Sequence, residues 1–206
     1  MSEIVEDRRL LLRLPLAFLF CLLALSGGAA AAAEPKVAVN VVLSGEAFLI
    51  DAVVDVPVPA GPAWDVLTDF DQMASIVGNL TSSKTSSRNG NTWIVRQEGV
   101  ARIALFSFPF FSEREIRLEP MKRILAKNLS GTLKAMESET TVIPQDEGVQ
   151  IRYHSRSVPE SILARMFGAS FVRRESEKHF AALAGEMLRR HARVEPPATP
   201  AGSPAQ

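Results

Sequence analysis

A strand gives way to two short helices in the stretch Val56-Pro-Val-Pro-Ala-Gly-Pro-Ala-Trp-Asp-Val-Leu-Thr-Asp-Phe-Asp-Gln-Met-Ala74. Just before it, residues 48–56 alternate apolar and polar side chains, which predicts a strand with one buried face. Prolines at the start of the stretch end this strand, and another proline suits the first turn of a helix over residues 62–69. A second short helical segment is predicted over residues 71–77. The chain therefore begins its fold as one strand followed by two short helices.

A meander of antiparallel strands follows the two helices. Runs of β-branched and aromatic residues, separated by turn residues, predict strands over residues 80–87, 92–100, 104–119, 123–129, 132–142 and 149–157. The first of these is polar enough to be a sheet edge, and Asn89-Gly90 predicts a two-residue hairpin turn after it. Pro109, inside the third, predicts a bulge or a kink.

One long helix is predicted over residues 160–190, where apolar side chains recur at helical spacing. Its middle, residues 173–179, is mostly polar and should cross open space or reach beyond the sheet. At about 1.5 Å per residue the helix would be roughly 45 Å long, enough to cover a strongly curved sheet. We therefore predict an α+β fold in which a curved antiparallel sheet of six to seven strands wraps around the long C-terminal helix.

Residues 1–33 have the three parts of an export signal. Arginines precede the apolar run 14–25, and small residues follow it up to Ala33. Cleavage near Ala33 would leave an exported, periplasmic domain over residues 34–194. The alternative is an uncleaved anchor that holds this domain at the periplasmic face of the inner membrane. The Pro/Ala-rich segment 195–206 is predicted to be a disordered tail.

The composition argues against several classes of function. Lys+Arg and Asp+Glu both number 23, so a net charge of zero provides no general attraction to nucleic acid or to an anionic membrane. The only cysteine, Cys21, lies in the export segment, so the exported domain has no disulfide, thiol nucleophile or cysteine metal ligand. His154, His179 and His191 lack metal-ligand spacing and are expected to be solvated. We predict no metal and no cofactor, and the sequence does not specify an oligomeric state.

The order of elements, together with the motif Ala63-Trp-Asp-Val-Leu-Thr-Asp-Phe70, resembles the START/polyketide-cyclase (SRPBCC) superfamily, whose fold is called helix-grip. Within it, the chain looks most like coenzyme Q-binding START-type proteins and polyketide cyclase/dehydrase-like domains. Residues 93–99, the turn Ile116-Arg-Leu-Glu-Pro120 and residues 149–159 match as well. The resemblance spans nearly all of the exported domain. It implies an internal hydrophobic cavity for a lipid, a prenylquinone or a polyketide-like molecule.

The aromatic residues suggest how such a cavity would be lined. The chain has 11 Phe but only one Tyr and two Trp, and four of the phenylalanines crowd residues 106–111. They could line a cavity for an isoprenoid or acyl chain, pack an ordinary core, or form a lip that makes transient contact with a membrane. The candidate ligand-binding residues are Trp64, Phe70, Trp93, Phe106, Phe108, Phe110, Tyr153, Ser155, Leu163, Phe167 and Phe171.

Useful affinity for such a ligand requires either a long apolar chain on the ligand or a polar anchor in the protein. Each buried CH₂ contributes about 0.8 kcal/mol, so one five-carbon prenyl unit gives about 4 kcal/mol before the cost of association is subtracted. Tyr153 and Ser155, on the inward face of the last strand, could bond a head group or could bond within the sheet.

Three functions fit this sequence. The first is non-catalytic binding of a hydrophobic small molecule. The second is a cyclase, dehydrase or aromatase, which would use an inward polar residue such as Tyr153 or Glu98, although no catalytic constellation is recognisable. The third is a protein-interaction module with a filled core.

Overall fold

The computed structural model describes residues 34–103, 106–160 and 168–194. The predicted export segment and the C-terminal tail lie outside these ranges, and so does the first part of the predicted long helix, residues 161–167. No helix in the described ranges is both long and apolar enough to cross a membrane.

The described chain forms an eight-stranded sheet with two short helices and one long helix. In chain order the elements are β1 Lys36–Ser44, β2 Ala47–Val56, α1 Ala60–Thr68, a 3-10 turn Phe70–Gln72, α2 Met73–Ile76, β3 Leu80–Asn89, β4 Thr92–Ile103, β5 Phe106–Glu119, β6 Arg123–Gly131, β7 Leu133–Gln145, β8 Gly148–Pro159 and α3 Gly168–Val194. The predicted α+β helix-grip fold is therefore confirmed, with eight strands where the sequence predicted six to seven.

The additional strand is β1, which precedes the first strand predicted from sequence. It forms a hairpin with β2 through a turn at Gly45, whose φ of 61° lies in the left-handed region that favours glycine. Because β1 is an edge strand, its residues alternate only between exposed and half-buried, and Val42 and Leu43 are both exposed. The hydrophobic alternation that reveals an inner strand is therefore weak here.

All strand pairs are antiparallel, and the order across the sheet is β1-β2-β8-β7-β6-β5-β4-β3. The prediction that residues 80–87 form an edge is confirmed, because β3 is the outermost strand on one side. The hairpin after it closes one residue later than predicted. Asn89 still pairs with Thr92, so the two turn residues are Gly90 and Asn91.

The bulge predicted at Pro109 is absent from the pairing of β4 with β5. Val100 lies opposite Pro109, and the register runs on without a shift. Strand β6 pairs with β5 only from Ser112 onward, so Pro109 lies where β5 has a single strand neighbour. The missing N–H of the proline is tolerated there, as it is at a sheet edge.

The core lies on the inner face of the sheet. Along β2, every second side chain from Phe48 to Val56 is buried, as the alternation predicted. Helix α1 adds Ala63, Val66 and Leu67, which belong to the motif of residues 63–70. These side chains join the same apolar cluster as the inward residues of β2, so α1 closes one end of the sheet.

Helix α3 covers the sheet unevenly. Its C-terminal half buries Phe180, Leu183, Ala184 and Met187, whereas no described residue of the helix before Phe180 is fully buried. The strands closest to the helix are β1 and β2, and α1 and α2 contact it as well. The first half of α3 therefore faces the rest of the sheet across open space.

A buried carboxylate fixes the C-terminal half of α3 to α1. Glu186 is 7% exposed and accepts hydrogen bonds from Arg189 and, at 2.6 Å, from Arg190. Arg190 also pairs with Asp69, just after α1, at 2.8 Å. Burial would raise the pKa of Glu186, but the hydrogen bonds from the two arginines bring that pKa below its ordinary value.

We expect Glu186→Ala to lower the free energy of unfolding by about 1.5–3 kcal/mol, the usual worth of hydrogen bonds to a charged group. The matched control is Glu177→Ala on the same helix, because Glu177 is 42% exposed and lies 3.9 Å from Arg173. This control should change stability by less than about 0.5 kcal/mol. Urea unfolding followed by circular dichroism measures both. Equal losses in the two variants would contradict the role of Glu186.

Candidate ligand-binding cavity

A cavity of about 490 Å³ lies between the first half of α3 and the inner face of the sheet. This volume is within the range of about 300–1,000 Å³ that small-molecule sites occupy. Most of its wall is apolar, including Ile50, Leu67, Phe70, Met73, Ile116, Ile124, Leu133, Phe180 and Leu183. The predicted polar middle of the long helix borders this space through Glu175, Ser176 and His179.

A smaller depression of about 260 Å³ adjoins the cavity. The two share Asn79, Glu175 and His179, and Arg102 and Lys178 line only the smaller one. We interpret the depression as the entrance to the cavity, between α3 and the segment that joins α2 to β3. Polar and charged side chains therefore surround the way in, while the apolar wall lies further inside.

Phe110 closes one side of the cavity because β4 carries a glycine opposite it. Gly99 pairs with Phe110, and a Cβ at Gly99 would collide with the Phe110 ring and with the carbonyl oxygen of Asn79. The same carbonyl accepts a hydrogen bond from the backbone N–H of Val100 at 2.9 Å. Glycine at this position thus lets the entrance segment and the phenylalanine ring approach the strand together.

The most unusual side chain in the cavity wall is Arg114. It lies on β5, two residues before buried Ile116 and on the same inward face, and it donates a hydrogen bond from Nη2 to Oε1 of Gln97. Gln97 in turn donates to Oγ of Ser83 at 2.9 Å, and Ser83 donates to the carbonyl oxygen of Phe70 at 2.5 Å. This chain of bonds fixes one edge of the guanidinium group through residues of β4, β3 and the 3-10 turn.

Two ionisable side chains lie close to Arg114. Burial lowers the pKa of Arg114 below its ordinary value, and the charge interaction with Tyr153 partly opposes this. Burial, and then repulsion by Arg114, lower the pKa of His179 to about 4. His179 is therefore neutral at pH 7. The sequence predicted a solvated His179, whereas this residue is half-buried and lines both the cavity and its entrance.

The predicted ligand-binding residues fall into three groups. Phe70, Phe110, Tyr153 and Phe171 line the cavity. Leu163 and Phe167 lie outside the described residues, as does the side chain of Phe106, although its backbone forms the start of β5. The third group, Trp64, Trp93, Phe108 and Ser155, does not border the cavity.

The residues of this third group have other surroundings. Trp64 and Trp93 pack against the apolar core, and Trp93 contacts Phe70 edge-on, with 5.7 Å between the ring centroids. Phe108 is half-buried near the free end of β5. Ser155 is 1% exposed, and its Oγ has no hydrogen-bond partner among the described residues.

Sequence reasoning missed Arg114, Gln97 and His179. Arg114 is an even number of residues from both Phe110 and Ile116, so the three side chains share one face of the strand. A charged residue on this apolar face was the signal in the sequence that could have revealed it. On β4 the inward polar residue was taken to be Glu98, but Glu98 points outward, where it pairs with Arg96 at 3.0 Å. Its neighbour Gln97 is the buried one.

Residues 47–187 match the sequence model of a family described as polyketide cyclase / dehydrase and lipid transport. The chain belongs to this family. The match covers more than half of the 206 residues and all the elements that surround the cavity. It confirms the predicted membership of the START/polyketide-cyclase superfamily. No protein of curated function matches the chain.

Solved structures share the family's fold at low sequence identity. The Zhui aromatase/cyclase from a Streptomyces species is 21% identical with a TM-score of 0.59, over 70% of this chain and 95% of that one. The STAR-related lipid transfer protein from Xanthomonas axonopodis is 14% identical with a TM-score of 0.60, over 78% and 97%. Human STARD10 is 12% identical with a TM-score of 0.51, over 76% and 78%. At these identities the likeness establishes the fold alone.

We expect Gly99→Ala to destabilise the protein by about 1–3 kcal/mol, because the added methyl group forces the Phe110 ring or the entrance segment to move. Gly78→Ala is the matched control, since a Cβ there meets no atom within 4 Å. Thermal unfolding of both variants measures the difference. A control that is as unstable as Gly99→Ala would contradict the close approach as the cause, because alanine in place of glycine by itself lowers the entropy of the unfolded chain and stabilises the fold.

His179 should make stability depend on pH. Its pKa is about 4 in the folded chain against 6.5 in an unfolded one, so the unfolded chain binds the proton first as the pH falls. The free energy of unfolding should therefore decrease between pH 6.5 and pH 4, by at most about 3 kcal/mol from this residue. In His179→Leu, urea titrations at several pH values should show a shallower decrease. Identical pH dependence in the two proteins would contradict the lowered pKa of His179.

Proposed function

We propose that this protein binds and carries a hydrophobic small molecule, such as a lipid or a prenylated compound, without catalysing a reaction on it. The observation that supports this most directly is the cavity of about 490 Å³ with its largely apolar wall. Apolar walls with a few polar groups are typical of sites that hold lipid-like ligands. The family description names lipid transport beside polyketide cyclisation and dehydration.

The second candidate is an enzyme of the cyclase or dehydrase type. The observation in its favour is that Arg114, Tyr153 and His179 meet in one cavity, which offers groups that could polarise a carbonyl or move a proton. The pKa of His179 disfavours it, because a group with a pKa of about 4 is a weak base near neutral pH. We therefore place carriage first.

The third candidate, an interaction module with a filled core, receives less support. A filled core would leave no void of several hundred cubic ångströms, since protein interiors pack as densely as organic crystals. This protein instead has a cavity of about 490 Å³ beside α3.

We further propose that the carrier works outside the cytoplasm. The basic residues, apolar run and small residues of segment 1–33 support this proposal. A periplasmic carrier would move its ligand between membranes or hold it against one. Arg102 and Lys178, which lie beside the cavity entrance, would help to hold the ligand against a membrane.

The test is mass spectrometry of protein expressed from the full-length gene into a bacterial periplasm, first under native and then under denaturing conditions. The wild type should carry an apolar adduct, acquired in the cell or after incubation with a lipid and quinone extract, that leaves on denaturation. Thr140→Phe should lose most of this adduct, because Thr140 lines the cavity.

Thr141→Phe is the matched control for that experiment. Thr141 is the next residue on β7, on the opposite face of the sheet, where its hydroxyl donates to Glu139 at 3.4 Å. This variant should keep the adduct. Folded wild-type protein that stays free of adduct in every condition would overturn the carrier function. An adduct whose mass changes with time in the wild type but not in His179→Ala would favour the enzyme.

A further inference from the structure

The cavity contains a positive charge that the protein does not neutralise. Arg114 is part of the wall, and no carboxylate of the described residues lies within ion-pair distance of it. Its hydrogen bond goes to a neutral amide, that of Gln97, and its Nε is buried without a hydrogen-bond partner among the described residues. Buried charges are normally paired, because removing an ion from water costs several kcal/mol.

The surroundings hold this cation in place and do not add a second one. Gln97 is oriented by Ser83, so its carbonyl oxygen is presented to Arg114 and one edge of the guanidinium group is occupied. His179 lines the same cavity and is neutral at pH 7, because its pKa is about 4. The carboxylate of Glu175 also borders the cavity, but it is paired with Lys178 of the entrance at 2.7 Å. The interior therefore presents one net positive charge beside an apolar wall.

We propose that the natural ligand is a monoanionic amphiphile, a long-chain carboxylic acid in its ionised form, whose carboxylate binds Arg114 while its chain lies against the apolar wall. This inference rests on the proposed function and names the class of ligand. A guanidinium group offers five donors in a planar fork that matches a carboxylate, and Arg114 uses one edge of that fork for Gln97. A phosphate monoester fits less well, because its charge of about −1.5 to −2 would exceed the single charge of Arg114.

Tyr153 is placed to assist as a second hydrogen-bond donor. Its side chain lines the same cavity as Arg114 and lies near the guanidinium group. Its ring is held edge-on against Phe180 of α3, with 5.2 Å between the ring centroids. The predicted anchor was Tyr153 with Ser155, but Ser155 does not border the cavity. The anchor that the structure offers is Tyr153 on β8 together with Arg114 on β5, and Arg114 supplies the charge.

The experiment compares headgroups on one chain length by isothermal titration of the full-length protein with dodecanoate, 1-dodecanol and dodecyl phosphate. We expect dodecanoate to bind at least about tenfold more tightly than 1-dodecanol, as a charge-assisted hydrogen bond should give. Arg114→Gln should remove this preference and leave the affinity for 1-dodecanol within about twofold. Arg117→Gln, on the outer face of the same strand, is the matched control and should bind as the wild type does.

The outcomes separate the two proposals. Equal affinity of the wild type for dodecanoate and 1-dodecanol would overturn the acidic headgroup and leave the carrier function intact. Tighter binding of dodecyl phosphate than of dodecanoate would overturn the carboxylate in favour of a phosphate. Binding of none of the three to folded protein would count against the cavity as a lipid site altogether. The wild-type comparison decides the headgroup even if Arg114→Gln fails to fold, and Arg114→Lys, which keeps the charge, should retain part of the preference.

Discussion

One helix has to cover the apolar face of an eight-stranded sheet, and the rest of the structure follows from that constraint. Helix α3 has 27 described residues, which at about 1.5 Å each extend for roughly 40 Å. Its second half makes the contacts that bury Phe180, Leu183 and Met187, and Glu186 locks it to α1 through Arg190 and Asp69. Before Phe180, the described side chains of the helix are at most half-buried. The unfilled space beside it is the cavity.

The polar groups of the cavity follow from the same constraint. An inward arginine on β5 would be intolerable in a filled core, whereas beside an open cavity its charge can meet a ligand. The bonds from Arg114 through Gln97 and Ser83 to the Phe70 backbone also connect β5, β4 and β3 to the 3-10 turn. The position of the Arg114 guanidinium group thus depends on the motif of residues 63–70, because Phe70 is the last residue of that motif.

Sequence patterns predicted most of the fold because they report local properties. Alternation along β2 identified its buried face, the polar composition of β3 marked an edge, and helical spacing placed the long helix. Where the signal was weak, the prediction failed. Strand β1 has no fully buried residue, so its alternation was too shallow to recognise. The hairpin turn was displaced by one residue, because local turn preference does not by itself set strand register.

The sequence by itself determined the fold class and the apolar character of the interior, since both follow from the order and spacing of residue types. It also indicated the family, through the resemblance carried by the motif of residues 63–70. Only the tertiary structure decided which residues border the cavity. Four of the predicted residues do so, whereas Trp93 packs on Phe70 and Ser155 is enclosed between strands. Arg114 and His179 are more than 60 residues apart in the chain, so no local pattern reports that the fold brings them to the same cavity. Burial and the proximity of charges are properties of the packed molecule, and these properties set the chemistry of the site.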